Sequence, residues 1–424
     1  MSTEQAEQSQ GIHLMAKPAG PVCNLDCTYC FYLEKENMFP QNHRFLMSDE
    51  VLRHYIEQNI RSEITPEVVF TWQGGEPMLR GLEFYQKAVS YQQELAAGKV
   101  IRNSLQTNGV LLDEAWCEFL AKSGFMVGIS LDGPRGIHDS ARVDKQGRPT
   151  FDAVMRGIEL LKKYEIEFNV LVTVSNEVAK QPKEVYRFLK ENTLMHIQFN
   201  PVVERVASGN DQVIGLTFAH PGKTRTSSPR MEVSPHTVAP EAYGEFMIAI
   251  FDEWVRKDVG KMFVMNFEWA LASFLGLSST ICLFSGNCGK ALILEHNGDV
   301  YSCDHFMYPD YRLGNIQESD LLSLSGSPQQ LAFGNAKSSE LPDYCKRCDF
   351  LFACHGECPK NRFVKSPDGE SGLNYLCPSY KKYFSHISKY MNAMAKLISH
   401  GQPAALIMDA CNGPLAIKLS THTS

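Results

Sequence analysis

The sequence predicts an α/β protein in which a partial (β/α)6 TIM-like barrel precedes a small cysteine-rich unit. Three observations carry this expectation. Short apolar segments alternate with stretches of helical period through the first half, the alternation lapses near residue 205, and eight of the thirteen cysteines crowd between Cys282 and Cys377. A chain of 424 residues has room for two or three domains and an ample core, so its stability needs no disulfides.

A polar tail covers residues 1–12, and the first apolar segment follows at 13–18. Further segments lie at 68–72, 101–107, 126–131, 168–175 and 196–203, each ending in a small or polar cluster suited to a loop. Between them, 48–60, 83–97 and 111–123 have helix-like periodicity, the last with Asp113 near its start. Alternating strands and helices imply a parallel sheet, and right-handed crossovers curve it into a barrel over 13–240. Chemistry is then expected at the strand C-termini. Within that barrel, 205–240 is rich in Gly, Ser, Thr and Pro and is expected to be irregular. Helical periodicity returns at 242–254 and opens a helical connector over 241–280. The cysteine-rich unit follows over 281–390, and a C-terminal helix and tail occupy 391–424. Little apolar surface is available to the cysteine-rich unit, so metal ligation is expected to organise it.

Charge and composition narrow the function. The formal charge is −7 with 21% charged residues, and no segment concentrates Lys and Arg, so nucleic acid is a poor candidate partner. The first ten residues lack a secretory pattern and no apolar run approaches a membrane span, which predicts a cytoplasmic protein without membrane contact. In a reducing compartment thirteen cysteines point to metal binding or catalysis rather than disulfides.

Cys23, Cys27 and Cys30 form a C-x3-C-x2-C loop just after the first predicted strand. Three thiolates can hold three irons of a 4Fe-4S cluster. The fourth iron then stays open for the amine and carboxylate of S-adenosylmethionine, which brings the sulfonium within reach of an electron from the cluster. A three-Cys zinc site is the competing reading. Together with GGEP at Gly74 to Pro77 and ISLDG at Ile129 to Gly133, this loop resembles the radical S-adenosylmethionine superfamily. The resemblance implies that Gly75 receives the cofactor's amino group through backbone atoms, where a side chain would obstruct approach. It also implies cofactor contacts for Tyr29, Ser130, Arg142 and Val203. Against these stand packing roles for Tyr29 and Val203, and a solvated surface for Arg142, whose guanidinium is otherwise suited to a carboxylate.

The later cysteines read C-x5-C at Cys282 and Cys288, then Cys303, then Cys345, Cys348, Cys354, Cys358 and Cys377. Eight thiolates make two four-cysteine sets, which by spacing suit two zinc ribbons or two iron-sulfur clusters. The pattern resembles the SPASM domain. That resemblance assigns Cys282, Cys288, Cys303 and Cys358 to one auxiliary 4Fe-4S cluster, and Cys345, Cys348, Cys354 and Cys377 to another. With the radical cluster, three clusters use all but Cys117 and Cys411. Cys117 falls in an amphipathic helical stretch, and Cys411 has no recognisable partner.

Residues 291–304 read as two strands joined by Asn297-Gly298, a dipeptide that favours a tight hairpin. The hairpin carries out Cys303 and, next to it, Asp304, a carboxylate able to take a proton while the adjacent cluster takes an electron. A turn-capping Asp is the plain alternative. From about residue 12 to 390 the chain resembles the anaerobic sulfatase-maturating enzymes. This implies oxidation of a Cys or Ser in a nascent sulfatase carrying a C/S-x-P-x-R motif to Cα-formylglycine, with flavodoxin or ferredoxin as electron donor. In this family pattern Asp304 is the proton acceptor, and Tyr32 and Gln73 contact the substrate near the reacting carbon. The nearest rival is a SPASM enzyme that modifies or crosslinks a ribosomal peptide; the short stretch before the first strand disfavours it, because such enzymes often carry an N-terminal peptide-binding domain. A non-catalytic zinc-binding protein is the rival of another class.

Overall fold

The computed structural model describes residues 11–40, 43–221 and 232–412. Six parallel strands build the barrel: β1 (His13–Lys17), β2 (Glu67–Trp72), β3 (Val100–Thr107), β4 (Phe125–Ser130), β5 (Phe168–Val174) and β6 (His196–Pro201). Each lies within a residue or two of its expected segment, because an apolar run bounded by turn residues marks a strand buried by flanking helices. The crossover helices are α1 (Asp49–Ser62), α2 (Leu82–Leu95), α3 (Glu114–Lys122), α4 (Phe151–Lys163) and α5 (Pro182–Glu191). Ser48 caps α1 by accepting from the Val51 amide, and Asp113 caps α3 by accepting from the Trp116 amide at 2.9 Å.

Two features of the sheet go beyond the expected barrel. A two-residue strand, β7 (Phe263–Val264), extends it past β6, too short to leave any periodicity in the sequence. At the opposite edge β8 (Ala291–Glu295) pairs in parallel with β1 over the whole of both strands, from His13 opposite Ala291 to Lys17 opposite Glu295. Strands β9 (Asp299–Tyr301) and β10 (Arg312–Asn315) then continue antiparallel, so one sheet runs β10-β9-β8-β1-β2-β3-β4-β5-β6-β7. The hairpin expected inside a separate cysteine-rich unit is therefore part of the barrel's own sheet. The edge of β1 carries unpaired amides and carbonyls, and β8 satisfies them.

Helices α6 (Ala242–Lys257), α7 (Met265–Phe274) and α9 (Cys377–Ser399) pack together, with α8 (Pro328–Ser339) on the cysteine-rich side. Phe251, Trp254, Phe267, Phe384 and Ile387 from these helices share one continuous core with Tyr55, Phe70 and Trp72 of the barrel. Each such side chain contributes about 1.5–3 kcal/mol on burial. Helix α9 opens at Cys377 and runs through residue 390 without a break. Of the irregular stretch, the described residues form isolated pairings, Arg205 with Val233 and Val206 with Phe218; residues 222–231 lie outside the described residues.

Candidate active site

Strand β1 delivers the first cysteine loop to the C-terminal face of the barrel, and the end of β2 holds it there. The Gly75 amide donates to the Gly20 carbonyl at 2.8 Å and the Glu76 amide to that of Val22 at 2.8 Å. The amides of Asp26 and Thr28 donate to the carbonyls of Val143 and Ala141. A Cβ on residue 75 would fall 2.1 Å from the Val22 carbonyl oxygen, so a glycine is required by the loop backbone itself, before any cofactor is considered. Glu76 is fully buried. It accepts from the Asn108 amide at 2.8 Å, the Thr107 hydroxyl at 2.8 Å and the Met78 amide at 3.1 Å, while burial pushes its carboxyl up to about 7.

Burial likewise pushes the thiol of Cys23 up to about 12 and that of Cys27 up to about 11. Such thiols give up their protons only to a partner that compensates the charge, as iron does. Three buried thiols are a donor set that fits the irons of an iron-sulfur cluster.

Tyr29 and Arg142 meet at Asp132, beside the ends of β4 and β5, and Ser130 is the last residue of β4. Arg142 is 7% exposed. Its Nε donates to Asp132 at 2.9 Å and its Nη2 to the Thr173 hydroxyl at 3.1 Å, while the Tyr29 hydroxyl donates to the same Asp132 carboxylate. This corrects the solvated-surface reading, since the fixed guanidinium sits inside the barrel and interacts with the Cys27 sulfur. Asp132, which closes the network, carried no sequence signal beyond its place in ISLDG. The Ser130 hydroxyl accepts from Gln106 at 3.3 Å. Val203 lies in the main hydrophobic core, the packing alternative for that residue.

Tyr32, Gln73 and Asp304 converge on one side chain that sequence reasoning passed over. Lys17, the last residue of β1, is 1% exposed. Its Nζ lies 2.6 Å from Asp304 Oδ1, 3.5 Å from Gln73 Oε1 and 3.9 Å from the centre of the Tyr32 ring. Burial raises the Asp304 carboxyl, but the charges of Lys17, His305 and Lys35 outweigh it and hold that carboxyl below its ordinary value. The Tyr32 hydroxyl donates to buried Glu295, opposite Lys17 in the β1–β8 ladder. A lysine closing an otherwise apolar strand just before the cysteine loop was the available signal for Lys17.

The later cysteines divide by proximity. Cys282, Cys288, Cys303 and Cys358 interact electrostatically with one another. Cys345, Cys348, Cys354 and Cys377 line one cavity with Leu351 and Tyr380. Fully buried Lys337, which donates to the Cys282 and Leu283 carbonyls, faces the first set; Arg362 and the buried carboxylate of Glu357 interact with cysteines of both sets. None of these three charges was anticipated from spacing. Cys117 is buried in α3, and Cys411 packs half-buried against the core.

The Radical SAM superfamily profile matches residues 18–189, and the SPASM profile, an iron-sulfur cluster-binding domain, matches 282–349. The chain is 45% identical over 418 residues to the serine-type anaerobic sulfatase-maturating enzyme of Bacteroides thetaiotaomicron, covering 98% of this chain and 99% of the relative. To the cysteine-type anaerobic sulfatase-maturating enzyme of Clostridium perfringens it is 34% identical over 88% of this chain and 96% of the relative. The solved structure of native anSMEcpe with bound AdoMet and Cp18Cys peptide superposes with a TM-score of 0.78 at 32% identity, covering 91% of this chain and 99% of that one.

Proposed function

The chain belongs to the anaerobic sulfatase-maturating enzymes of the radical S-adenosylmethionine superfamily, and from that premise we propose that it oxidises a serine or cysteine of an unfolded sulfatase to Cα-formylglycine. Its cofactors are S-adenosylmethionine and 4Fe-4S clusters. When bound, they supply a 5′-deoxyadenosyl radical for β-hydrogen abstraction and an outlet for the remaining electron. The observation that carries the reading is the convergence of Tyr32, Gln73 and Asp304 around one buried ammonium, with Asp304 directly after the cluster ligand Cys303.

In this reading Cys23, Cys27 and Cys30 hold the radical cluster, and the two later sets hold the auxiliary clusters. Gly75, Ser130, Arg142 and Tyr29 surround the nucleoside and methionine parts of the cofactor. Tyr32 and Gln73 flank the target side chain, and the ionised Asp304 accepts the proton of its hydroxyl or thiol; with cysteine the thioaldehyde so formed takes up water and releases sulfide to give the aldehyde. General-base catalysis of this kind is worth about 10²–10⁴-fold. Serine-type relatives at 45% and 35% identity stand beside a cysteine-type relative at 34%, and the scheme carries both side chains as targets. Flavodoxin or ferredoxin is the electron donor in this scheme.

The test is to reconstitute the enzyme without oxygen and supply peptides carrying Ser-x-Pro-x-Arg or Cys-x-Pro-x-Arg. A hydrazine-trapped aldehyde on at least one of the two peptides is the expected product. 5′-Deoxyadenosine without aldehyde on either peptide would transfer the assignment to another peptide modification. Zinc in place of iron and sulfide in the purified protein would end the radical reading.

A further inference from the structure

We propose that Lys17 is the positioning residue of the substrate site, fixing the Asp304 carboxylate and the Gln73 amide in the orientations that face the target side chain. The proposal rests on the sulfatase-maturation reading for what that side chain is, but the contacts stand without it. Lys17 is 1% exposed while the Asp304 side chain is 24% exposed, so the ammonium lies behind the carboxylate and the carboxylate takes the open side. The ammonium forms an ion pair with Asp304 Oδ1 at 2.6 Å and donates to Gln73 Oε1 at 3.5 Å. Turning the amide oxygen toward Lys17 points the amide nitrogen away from it, where it can donate to a substrate carbonyl.

The backbone makes this lysine an anchor. Lys17 ends β1, with its carbonyl accepting from the Gly20 amide at 3.0 Å and its Cα paired with Glu295 on β8. Glu295 in turn accepts from the Tyr32 hydroxyl, and the Lys17 ammonium lies 3.9 Å from the centre of the Tyr32 ring. The side chain that leads into the first cysteine loop thus sets the position of the carboxylate that follows Cys303. Misplacing a reacting group by about 1 Å is enough to lose roughly 10²-fold in rate.

Three variants test this on the full chain holding its clusters: Lys17→Met, Lys17→Arg and Lys17→Met combined with Asp304→Asn. Lys17→Met is expected to cut aldehyde formation by roughly 10²-fold and 5′-deoxyadenosine formation by less, so the ratio of 5′-deoxyadenosine to aldehyde rises; Lys17→Arg should recover part of the loss. A second readout is independent of turnover. Lys17→Met leaves a half-buried carboxylate without its nearest cation and lowers the melting temperature, and adding Asp304→Asn should raise it again. An unchanged product ratio in Lys17→Met, or a double variant that melts lower still, overturns the proposal. Wild-type enzyme on the same peptide separates the two readings. If it makes no aldehyde, the sulfatase assignment fails, while the melting cycle still reports on Lys17 and Asp304.

Discussion

Arg142 holds its charge at 7% exposure because Asp132, Thr173 and the Tyr29 ring surround it, and the same rule governs the other functional side chains. Buried charges persist in this barrel where a partner stands within hydrogen-bond or ion-pair reach. Asp304 follows the rule with Lys17, and the consequence is chemical: a carboxyl held below its ordinary value is ionised at neutral pH and ready to accept a proton. Replacing Asp304 with Asn keeps its shape and removes that capacity. We expect the Asp304→Asn enzyme to form 5′-deoxyadenosine at a near wild-type rate while peptide aldehyde falls by about 10²–10⁴-fold, both read by mass spectrometry. Normal aldehyde yield would remove Asp304 from the role.

The decisive element is the β8–β9 hairpin. Its turn contains Gly298 at φ +88°, where a Cβ would fall 2.8 Å from Asn315 Oδ1. The left-handed backbone demands glycine, and an added Cβ would also push the Asn315 side chain away. The hairpin carries Glu295 at one end and Cys303 with Asp304 at the other, so a turn that fits poorly shifts all three. Gly298→Ala is expected to destabilise the protein by about 1 kcal/mol or more and to speed hydrogen exchange in β8 and β9 relative to β3 and β4. Equal exchange across these strands would show that the turn does not control the hairpin. The Asn-Gly dipeptide made the hairpin legible in the sequence. Its pairing with β1 was not, because period-two or apolar patterning says which face of a strand is buried and nothing about which distant strand satisfies its edge.

At the scale of the molecule, the barrel and the cysteine-rich region share a sheet through β1 and β8 and a core through α6, α7 and α9. Loss of order in one should spread to the other. Cluster binding favours the folded state by mass action, since the ligand arrangement exists only there. Stripping the iron with a chelator is therefore expected to lower the melting temperature of the whole chain in a single calorimetric transition. Two transitions, with the barrel's unchanged, would show the halves to be independent. Among the described residues no helix is long and apolar enough to cross a membrane.

Local patterning accounts for the six barrel strands, the capped helices, the cysteine loop, the hairpin and the number of thiols available for clusters. Periodicity, turn chemistry and spacing are written within a few residues, and each is enforced by backbone sterics or by ligand count. Folding brings β8 onto β1, gathers the later cysteines into two interleaved sets, and buries Lys17, Glu295, Asp132, Lys337 and Glu357. These are facts of proximity between residues far apart in the chain. A buried charge is stable only where folding brings its partner, and that partner leaves no mark on the sequence around it.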